Sequence, residues 1–271
     1  MDFCCPICRL PLIEEEGRIK KCAVGHSFDR AKAGYYNLLI GQGSGTHGDN
    51  REMVEARRDF LTRGHYLPLA EHISRLISIH LAPEGSLIDL GAGEGYYTDL
   101  VERTVFDRDG SSNVLALDIS KDAIKHLAKR NQRISTAVAS SYDIPVADAS
   151  VDLALLVFSP LALSEIRRIL RPRAKFIMVF PDEMHLFGLK SAIYKTPYKN
   201  KPEPTDIEGF TLLTDDKLSY EITLRGREEI ESLFMMTPYA YRTSKEDKER
   251  LYSNDVITTE VAFRILVYQK S

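Results

Sequence analysis

The hydrophobic positions of this chain change their period near Leu87. From there on, short apolar runs alternate with segments in which apolar residues recur every three to four positions. The runs predict strands at 86–90, 113–118, 135–139, 151–158 and 174–180, and the segments between them predict helices near 96–104, 121–130 and 161–171. Strands that alternate with helices are typical of an open parallel sheet wrapped by helices.

The pattern on either side of this region is helical before it and mixed after it. Asp49 or Asn50 is expected to cap a helix with Phe60 and Leu61 on its apolar face, and a second helix is expected from about Tyr66 to Leu81. The C-terminal part predicts a helix over 183–194, a Pro-rich loop at 197–204, a hairpin near 210–225, a helix near 227–235 and a final strand at 258–268. The Gly-rich segment 41–50 reads as a linker.

All four cysteines lie near the N-terminus, and a histidine follows them. Cys5-x2-Cys8 and Cys22-x3-His26 have the spacing of two knuckles that close on one tetrahedral Zn²⁺, and such a closed site is structural. Cys4 could exchange with Cys5, but Cys5 has the better spacing. A disulfide is the weaker interpretation, because adjacent cysteines without others in the chain indicate a reducing cytoplasm.

A strand that runs into a glycine-rich turn forms the second candidate site. Asp89, Gly91 and Gly93 stand at this turn, where glycines let a ligand approach the backbone. Asp118 closes the next predicted strand, and a carboxylate there can accept hydrogen bonds from both hydroxyls of an adenosine ribose. Ser140 ends the third strand. An acid two residues before the first glycine suits a cofactor with a free amino group, so this set predicts S-adenosylmethionine.

Composition narrows the class further. The 271 residues are 44% hydrophobic and 28% charged, with a net charge of −3, which is ordinary for a globular protein and argues against one that coats nucleic acid. No apolar run is long enough for a membrane span, so no membrane partner is expected.

Local basic residues could nevertheless contact RNA phosphates: Lys20, Lys21, Arg30, Lys32, Arg57 and Arg58. The alternative is a solvated face, with one of the two arginines paired to Glu52 or Glu55.

Several of these motifs together resemble the RlmA 23S ribosomal RNA guanine-N1 methyltransferases. The segments that carry the resemblance are Cys5-Pro6-x-Cys8, Cys22-x3-His26, Arg57-Arg58-x-Phe60-Leu61-x2-Gly64-His65-Tyr66, Asp89-x-Gly91-x-Gly93-Glu94-Gly95-Tyr96-Tyr97-Thr98, His185-Leu186-x2-Leu189-Lys190 and Met236-Thr237-Pro238-Tyr239. The resemblance implies an α/β, Rossmann-like class I S-adenosylmethionine-dependent methyltransferase domain with an N-terminal zinc-binding module. It also implies that Tyr66, Gly93, Glu94 and His185 line the cofactor site. The expected partners are a hairpin of 23S ribosomal RNA and a second copy of the chain.

The predicted organisation is a zinc-binding, RNA-recognition module at 1–40, a linker with helices at 41–82 and a methyltransferase domain at 83–271. Two segments depart from the family pattern. Arg171-Pro172-Arg173-Ala174 lacks the two glycines usual before the fifth strand, which demands a different turn. Phe158-Ser159-Pro160-Leu161 replaces the usual residues after the fourth strand, so substrate details there stay open.

The chemistry is limited by the residues present. Methylation at C5 of a pyrimidine needs a cysteine nucleophile, and every cysteine belongs to the zinc segment. A purine ring nitrogen such as guanine N1 remains compatible and requires loss of a proton. Asp182, Glu183 and His185 are positional candidates for that role, while the sequence does not identify the base. Two alternatives remain: a small-molecule methyltransferase with a zinc lid, and a noncatalytic zinc-dependent RNA binder.

Overall fold

Two sheets organise the molecule, a computed structural model that describes residues 1–15, 17–41, 48–202 and 204–271. The strands are β1 (Ile13–Glu15), β2 (Ile19–Lys21), β3 (Ser27–Asp29), β4 (Tyr36–Asn37), β5 (Leu87–Leu90), β6 (Val114–Asp118), β7 (Ser135–Val138), β8 (Val151–Val157), β9 (Leu170–Pro181), β10 (Phe210–Arg225) and β11 (Val256–Lys270). The helices are α1 (Arg51–Thr62), α2 (Leu67–His80), α3 (Tyr96–Asp109), α4 (Lys121–Arg130), α5 (Leu163–Ile169), α6 (Phe187–Ile193), α7 (Gly226–Met235) and α8 (Lys245–Tyr252).

The larger sheet has the strand order β10-β11-β9-β8-β5-β6-β7-β4. Strands β4 to β9 run parallel within it, whereas β11 pairs antiparallel with β9 and β10 antiparallel with β11. The chain winds in one direction from β5 to β7 and returns to the other side through β8. In such sheets a ligand binds at the carboxyl ends of the strands where the direction changes. The predicted class I methyltransferase fold is confirmed.

Capping residues fix the helices that border this edge. Asn50 Oδ1 accepts the backbone N–H of Met53 at 2.9 Å, which begins α1, and Ser120 Oγ accepts that of Ala123 at 3.3 Å, which begins α4. Helix α3 instead begins after Gly95, whose φ of 87° favours glycine. The predicted cap of α1 is confirmed at Asn50. Helices α3 and α4 begin shortly after the ends of β5 and β6, and the chain before α1 is bonded to Ser120 at the start of α4.

The N-terminal segment packs directly on the sheet. Strands β1, β2 and β3 form a small antiparallel sheet, while β4 pairs with β7, with Tyr36 opposite Ala137. Phe3 and Leu38 are buried in the same hydrophobic cluster as Leu115 of β6. The backbone N–H of Cys4 donates to the carbonyl of Pro145 at 2.7 Å. The predicted zinc module thus shares its core with the sheet.

Most predicted elements are confirmed, but the hairpin near 210–225 is wrong. Strand β10 runs unbroken from Phe210 to Arg225 and pairs with β11 along its length. The middle of the predicted hairpin is continuous strand, and Arg264 of β11 there donates to both carboxylate oxygens of Asp215 at 2.7 and 2.6 Å. This cross-strand ion pair holds polar residues in an exposed strand. Helix α8 and strands β1 to β4 were not predicted.

The segment without glycines between α5 and the body of β9 forms a bulge. Val151 pairs with Leu170 and Leu153 pairs with Lys175, so β9 carries extra residues there. Arg173 adopts a φ of 64°, the left-handed region that glycine would occupy without strain. Arg171 Nη1 contacts Asp152 Oδ1 at 2.5 Å. The expectation of a different turn is confirmed, and an ion pair anchors it.

Within the described ranges, every helix is too short or too polar to traverse a bilayer.

Candidate active site and zinc centre

The four predicted zinc ligands converge. One ligand atom from each of Cys5, Cys8, Cys22 and His26 lies within 4.8 Å of the others. Cys8 and Cys22 Sγ are 3.5 Å apart, and His26 Nδ1 lies 3.4 Å from Cys22 Sγ. Ligands about 2.3 Å from a tetrahedral ion stand just under 4 Å apart, so the spacing fits Zn²⁺. The thiol of Cys4 lies outside this set, as the spacing predicted.

Backbone turns hold the two halves of the zinc site in place. The backbone N–H of Cys5 donates to the carbonyl of Leu10 at 2.8 Å. In the second half, Cys22 N–H donates to the carbonyl of His26 at 3.0 Å, and Gly25 has a φ of 96°. Both ligand pairs therefore belong to tight turns whose geometry does not depend on the other pair. All four ligand positions are then committed to protein atoms, which is the arrangement of a structural site.

The glycine turn after β5 forms a cradle at the carboxyl edge of the large sheet. Gly91, Gly93 and Gly95 all have positive φ angles, of 79°, 56° and 87°. Asp118, at the end of β6, accepts the N–H of Gly93 at 2.9 Å and the N–H of Ser120 at 2.7 Å. Burial raises the pKa of Asp118, and these backbone donors oppose the rise. The carboxylate is thus fixed at the rim of the cradle.

Two further carboxyl groups lie buried under the cradle, each with an oxygen that has no partner among the described residues. Asp89 Oδ2 accepts from Thr98 Oγ1 at 2.6 Å, while its Oδ1 is unpaired. Burial raises the pKa of Asp89 to about 7. Glu94 pairs with Arg130 through one oxygen and leaves the other unpaired. Unpaired buried acceptors fit the amino group of S-adenosylmethionine, so the residues present suit this cofactor.

Asp89→Asn is expected to stabilise the cofactor-free protein at pH 8 and to change little near pH 4. The native pKa of about 7 lies above the value of an unfolded chain. The native state therefore keeps the proton longer, and stability is lost as the pH rises from about 4 to 7. Asparagine removes this penalty and can still accept from Thr98. Thermal unfolding at both pH values measures the effect, and a destabilised variant at pH 8 would contradict it.

An aromatic cluster lies beside the cradle, where β8, β9 and β11 meet. The ring centroids of Phe158 and His185 are 6.4 Å apart at 28°, and Phe263 lies 4.9 Å from His185 and 5.0 Å from Tyr66. Tyr97, from the start of α3, is 6.3 Å from Phe158. Phe158 has a φ of 54° and is 39% exposed, so part of this residue is accessible beside the cluster. The departure noted after β8 thus supplies an aromatic surface.

The hydrogen bonds of His185 define its protonation state. Its Nδ1 accepts the N–H of Ala262 at 3.2 Å, and its Nε2 lies 3.4 Å from the hydroxyl of Tyr66. Burial lowers the pKa of His185 to about 3. The imidazole is therefore neutral at pH 7 with its proton on Nε2. With both nitrogens engaged, it suits positioning better than proton transfer.

The other two catalytic candidates differ in exposure. Asp182 Oδ2 lies 3.1 Å from Lys217 Nζ, and its side chain is 20% exposed. Glu183 is exposed. Ser140 lies near the cradle, because the N–H of Ala139 donates to the carbonyl of Asp118 at 3.1 Å. Of the three candidates, Asp182 keeps a half-buried carboxylate directly after β9.

The predicted RNA contacts fall into separate groups. Lys20 is 4% exposed and pairs with Asp2, so the expectation that it contacts RNA is wrong. Lys21, Arg30, Lys32 and Arg58 are exposed. Arg57 pairs with Asp49, not with Glu52 or Glu55, and Glu55 is held by Arg51 at 2.8 Å. The sequence missed the roles of Asp2 and Asp49, because nothing in the local pattern connects them to these cations.

The comparisons with known proteins agree with both sites. Residues 3–43 match the family described as "RlmA, N-terminal", a zinc ribbon, and residues 88–178 match the family "Methyltransferase domain". A "23S rRNA (guanine(748)-N(1))-methyltransferase" of Streptomyces fradiae is 38% identical over 70% of this chain and 66% of its own length. A "Putative 23S rRNA (guanine-N(1)-)-methyltransferase" of Micromonospora griseorubida is 36% identical over 68% of this chain and 67% of its own length.

A solved structure supports the fold alone. It is described as a complex between the Haloferax volcanii Trm112 methyltransferase activator and a methyltransferase, with a TM-score of 0.50, 16% identity and coverage of 82% of this chain and 99% of that one. The cofactor is S-adenosylmethionine and the metal is zinc, as the matched domains, the cradle and the Cys3His centre require. The chain therefore belongs to the family of 23S rRNA (guanine-N1)-methyltransferases that carry an RlmA-type zinc ribbon.

Proposed function

We propose that this protein transfers a methyl group from S-adenosylmethionine to N1 of a guanine in a hairpin loop of 23S ribosomal RNA. The observation that carries the proposal is the partly exposed Phe158, which lies beside the cofactor cradle and stacks on His185. A base that leaves its stack can lie on such a ring. The names of the two curated relatives supply the base and the RNA.

The residues around the cradle have distinct tasks in this proposal. Asp118 accepts hydrogen bonds from the ribose hydroxyls, and Asp89 accepts from the amino group of the cofactor. Backbone groups of Gly91 and Gly93 line the rest, with Glu94, Ser140, Tyr66 and His185 around the site. When bound, S-adenosylmethionine supplies the methyl group. The chain itself orients the base and excludes water, and positioning of this kind contributes much of the rate.

Proton loss from guanine N1 needs an acceptor. Asp182 is our candidate, because Glu183 is exposed and His185 is neutral with both nitrogens engaged. The Lys217 ammonium lies 3.1 Å from Asp182 Oδ2 and orients this carboxylate. Asp182→Asn distinguishes proton acceptance from cofactor binding. We expect the affinity for S-adenosylmethionine to be unchanged and the rate of methyl transfer to fall.

The zinc ribbon is proposed to hold the RNA. It joins the large sheet through β4, whose carboxyl end lies at the same edge as the cradle because β4 runs parallel to β7. Lys21, Arg30, Lys32 and Arg58 are exposed and available for phosphates. We further propose a homodimer in which two ribbons flank one cleft, and a cytoplasmic location, where ribosomal RNA is present and zinc-binding thiols stay reduced.

Arg58→Ala is expected to weaken RNA binding and to flatten its salt dependence by roughly 0.7–0.9 in the slope of log K against log salt, the value for one phosphate contact. The thermal midpoint should change little, because an exposed charge contributes about 0–1 kcal/mol. Arg227→Ala is the control, since Arg227 is 70% exposed, pairs with Glu231 on its own helix α7 and lies outside the residues that match the zinc ribbon. Filter binding at several salt concentrations gives the slope. An unchanged slope would show that Arg58 does not contact RNA.

Methyl transfer from labelled S-adenosylmethionine to 23S ribosomal RNA tests the function, followed by nucleoside analysis. Label in 1-methylguanosine supports the proposal. Label in another nucleoside would show that the base is assigned wrongly. Cofactor binding without any labelled RNA would favour the small-molecule methyltransferase, and absence of cofactor binding would favour the noncatalytic binder.

A further inference from the structure

Arg57 lies against the cofactor cradle. Its Nη1 atom is 3.9 Å from the position that a Cβ on Gly93 would occupy, and its side chain is 26% exposed. Its ion-pair partner Asp49 is 24% exposed. Because Gly93 also donates its N–H to Asp118, the guanidinium stands where the glycine turn meets the end of β6. Arg57 is thus well placed to contact a ligand in the cradle.

The chain before α1 presents Asp49 to Arg57. Ser120 Oγ donates to the carbonyl of Asp49 at 2.8 Å. Gly48 packs so closely on Ile119 that an added Cβ would lie 2.7 Å from its Cγ2. Residues 48 and 49 are therefore anchored to the chain that follows β6. The Asp49 carboxylate holds the guanidinium at the rim of the cradle.

The cradle is surrounded by acidic side chains, so a ligand with a carboxylate requires a cation there. Asp89, Glu94 and Asp118 all bring carboxyl groups to it. Burial raises the pKa of Glu94 and of Asp118, and the charge of Arg57 opposes both rises. These acids suit the amino group and the ribose of an adenosyl amino acid, but they repel its α-carboxylate. Arg130 is already bound to Glu94, and Arg58, whose charge also acts on Glu94, has an exposed side chain. Arg57 is the half-buried cation that lies against Gly93.

We propose that Arg57 binds the α-carboxylate of S-adenosylmethionine, and that this carboxylate displaces Asp49 from the guanidinium. A guanidinium can hold a carboxylate through two parallel hydrogen bonds, so Asp49 and the cofactor compete for the same donors. The inference rests on the proposed function, since it requires S-adenosylmethionine in the cradle. It gives Arg57 a task in cofactor binding and leaves Arg58, its exposed neighbour, for RNA.

Decarboxylated S-adenosylmethionine isolates the contact, because it keeps the amino group and lacks the α-carboxylate. Calorimetry on the zinc-loaded full chain should show that the wild type binds S-adenosylmethionine about 10–100-fold more tightly than the decarboxylated compound, as a charge-assisted pair predicts. In Arg57→Met that preference should vanish, with the affinity for the decarboxylated compound unchanged. Arg57→Lys should keep part of it, because lysine retains the charge and loses the planar fork.

Two further variants complete the test. Asp49→Asn should raise the affinity for S-adenosylmethionine and leave that for the decarboxylated compound unchanged. Arg51→Met, on the same helix but 77% exposed and paired with Glu55, is the matched control and should behave as the wild type. The proposal is overturned if Arg57→Met and Arg57→Lys keep the wild-type preference, or if they lose both compounds equally. If the wild type binds neither compound, the proposed function itself fails.

Discussion

Cys22→Ser is expected to remove the zinc and abolish RNA binding, while cofactor affinity is largely retained. Cys22 Sγ lies 3.5 Å from Cys8 Sγ and 3.4 Å from His26 Nδ1, so its loss leaves only three of the four zinc ligands. Structural zinc contributes about 10–16 kcal/mol to the folding of small zinc modules. The short strands β1 to β3 cannot replace that contribution, and the ribbon should lose its order. The cradle is built from β5 and β6, which do not contain zinc ligands.

Cys4→Ser is the matched control for this prediction. Cys4 is adjacent in sequence to a ligand and is buried, but its thiol lies outside the zinc set. Metal analysis should give one zinc per chain for Cys4→Ser and well below one for Cys22→Ser. RNA binding should follow the zinc content. Retention of zinc by Cys22→Ser would show that the four ligands have been assigned wrongly.

Asp118→Ala is expected to weaken the binding of S-adenosylhomocysteine by about 2–3 kcal/mol, or roughly 30–150-fold. The alanine removes the two charge-assisted hydrogen bonds that we propose Asp118 accepts from the ribose. It also removes the acceptor of two further hydrogen bonds, which the N–H groups of Gly93 and Ser120 donate to Asp118. Both effects act on the cofactor site, because the Gly93 contact orders the glycine turn.

Two variants test whether Asp118 acts as proposed. Asp118→Asn keeps an acceptor and should lose less affinity than the alanine variant. Asp122→Ala, an exposed carboxylate in the first turn of α4, should bind as the wild type does. Calorimetry measures all three. Wild-type affinity in Asp118→Ala would mean that the ribose lies elsewhere.

The central strands and both site motifs could be predicted because their signals are local. Strands β5 to β8 are short, mostly apolar segments, and each lies within a residue or two of its predicted range. The zinc ligands follow a fixed spacing within two turns. The position of Asp118 beside the glycine turn could be predicted, because it ends the strand that follows this turn and parallel strands end at the same edge of a sheet.

The remaining features depend on contacts between residues far apart in the sequence. The neighbours of Lys20 in the sequence predict a solvent-exposed cation, but this side chain is buried and pairs with Asp2. Arg57 points to the cradle because the chain before α1 is fastened to Ser120. Strand β10 could not be distinguished from a hairpin, since its partner β11 follows much later. None of these contacts leaves a periodic pattern.

The pairing of β4 with β7 has a consequence for how the chain folds. Tyr36 and Ala137, which face each other, are separated by about a hundred residues, so the pair closes a long loop. Because closing a long loop costs entropy, we expect this pair to form after the nearer strands have assembled. Until then β7 is an open edge whose free N–H and C=O groups can pair with another chain. The N-terminal segment therefore acts as a cover against aggregation, and a fragment that begins after it would expose this edge permanently.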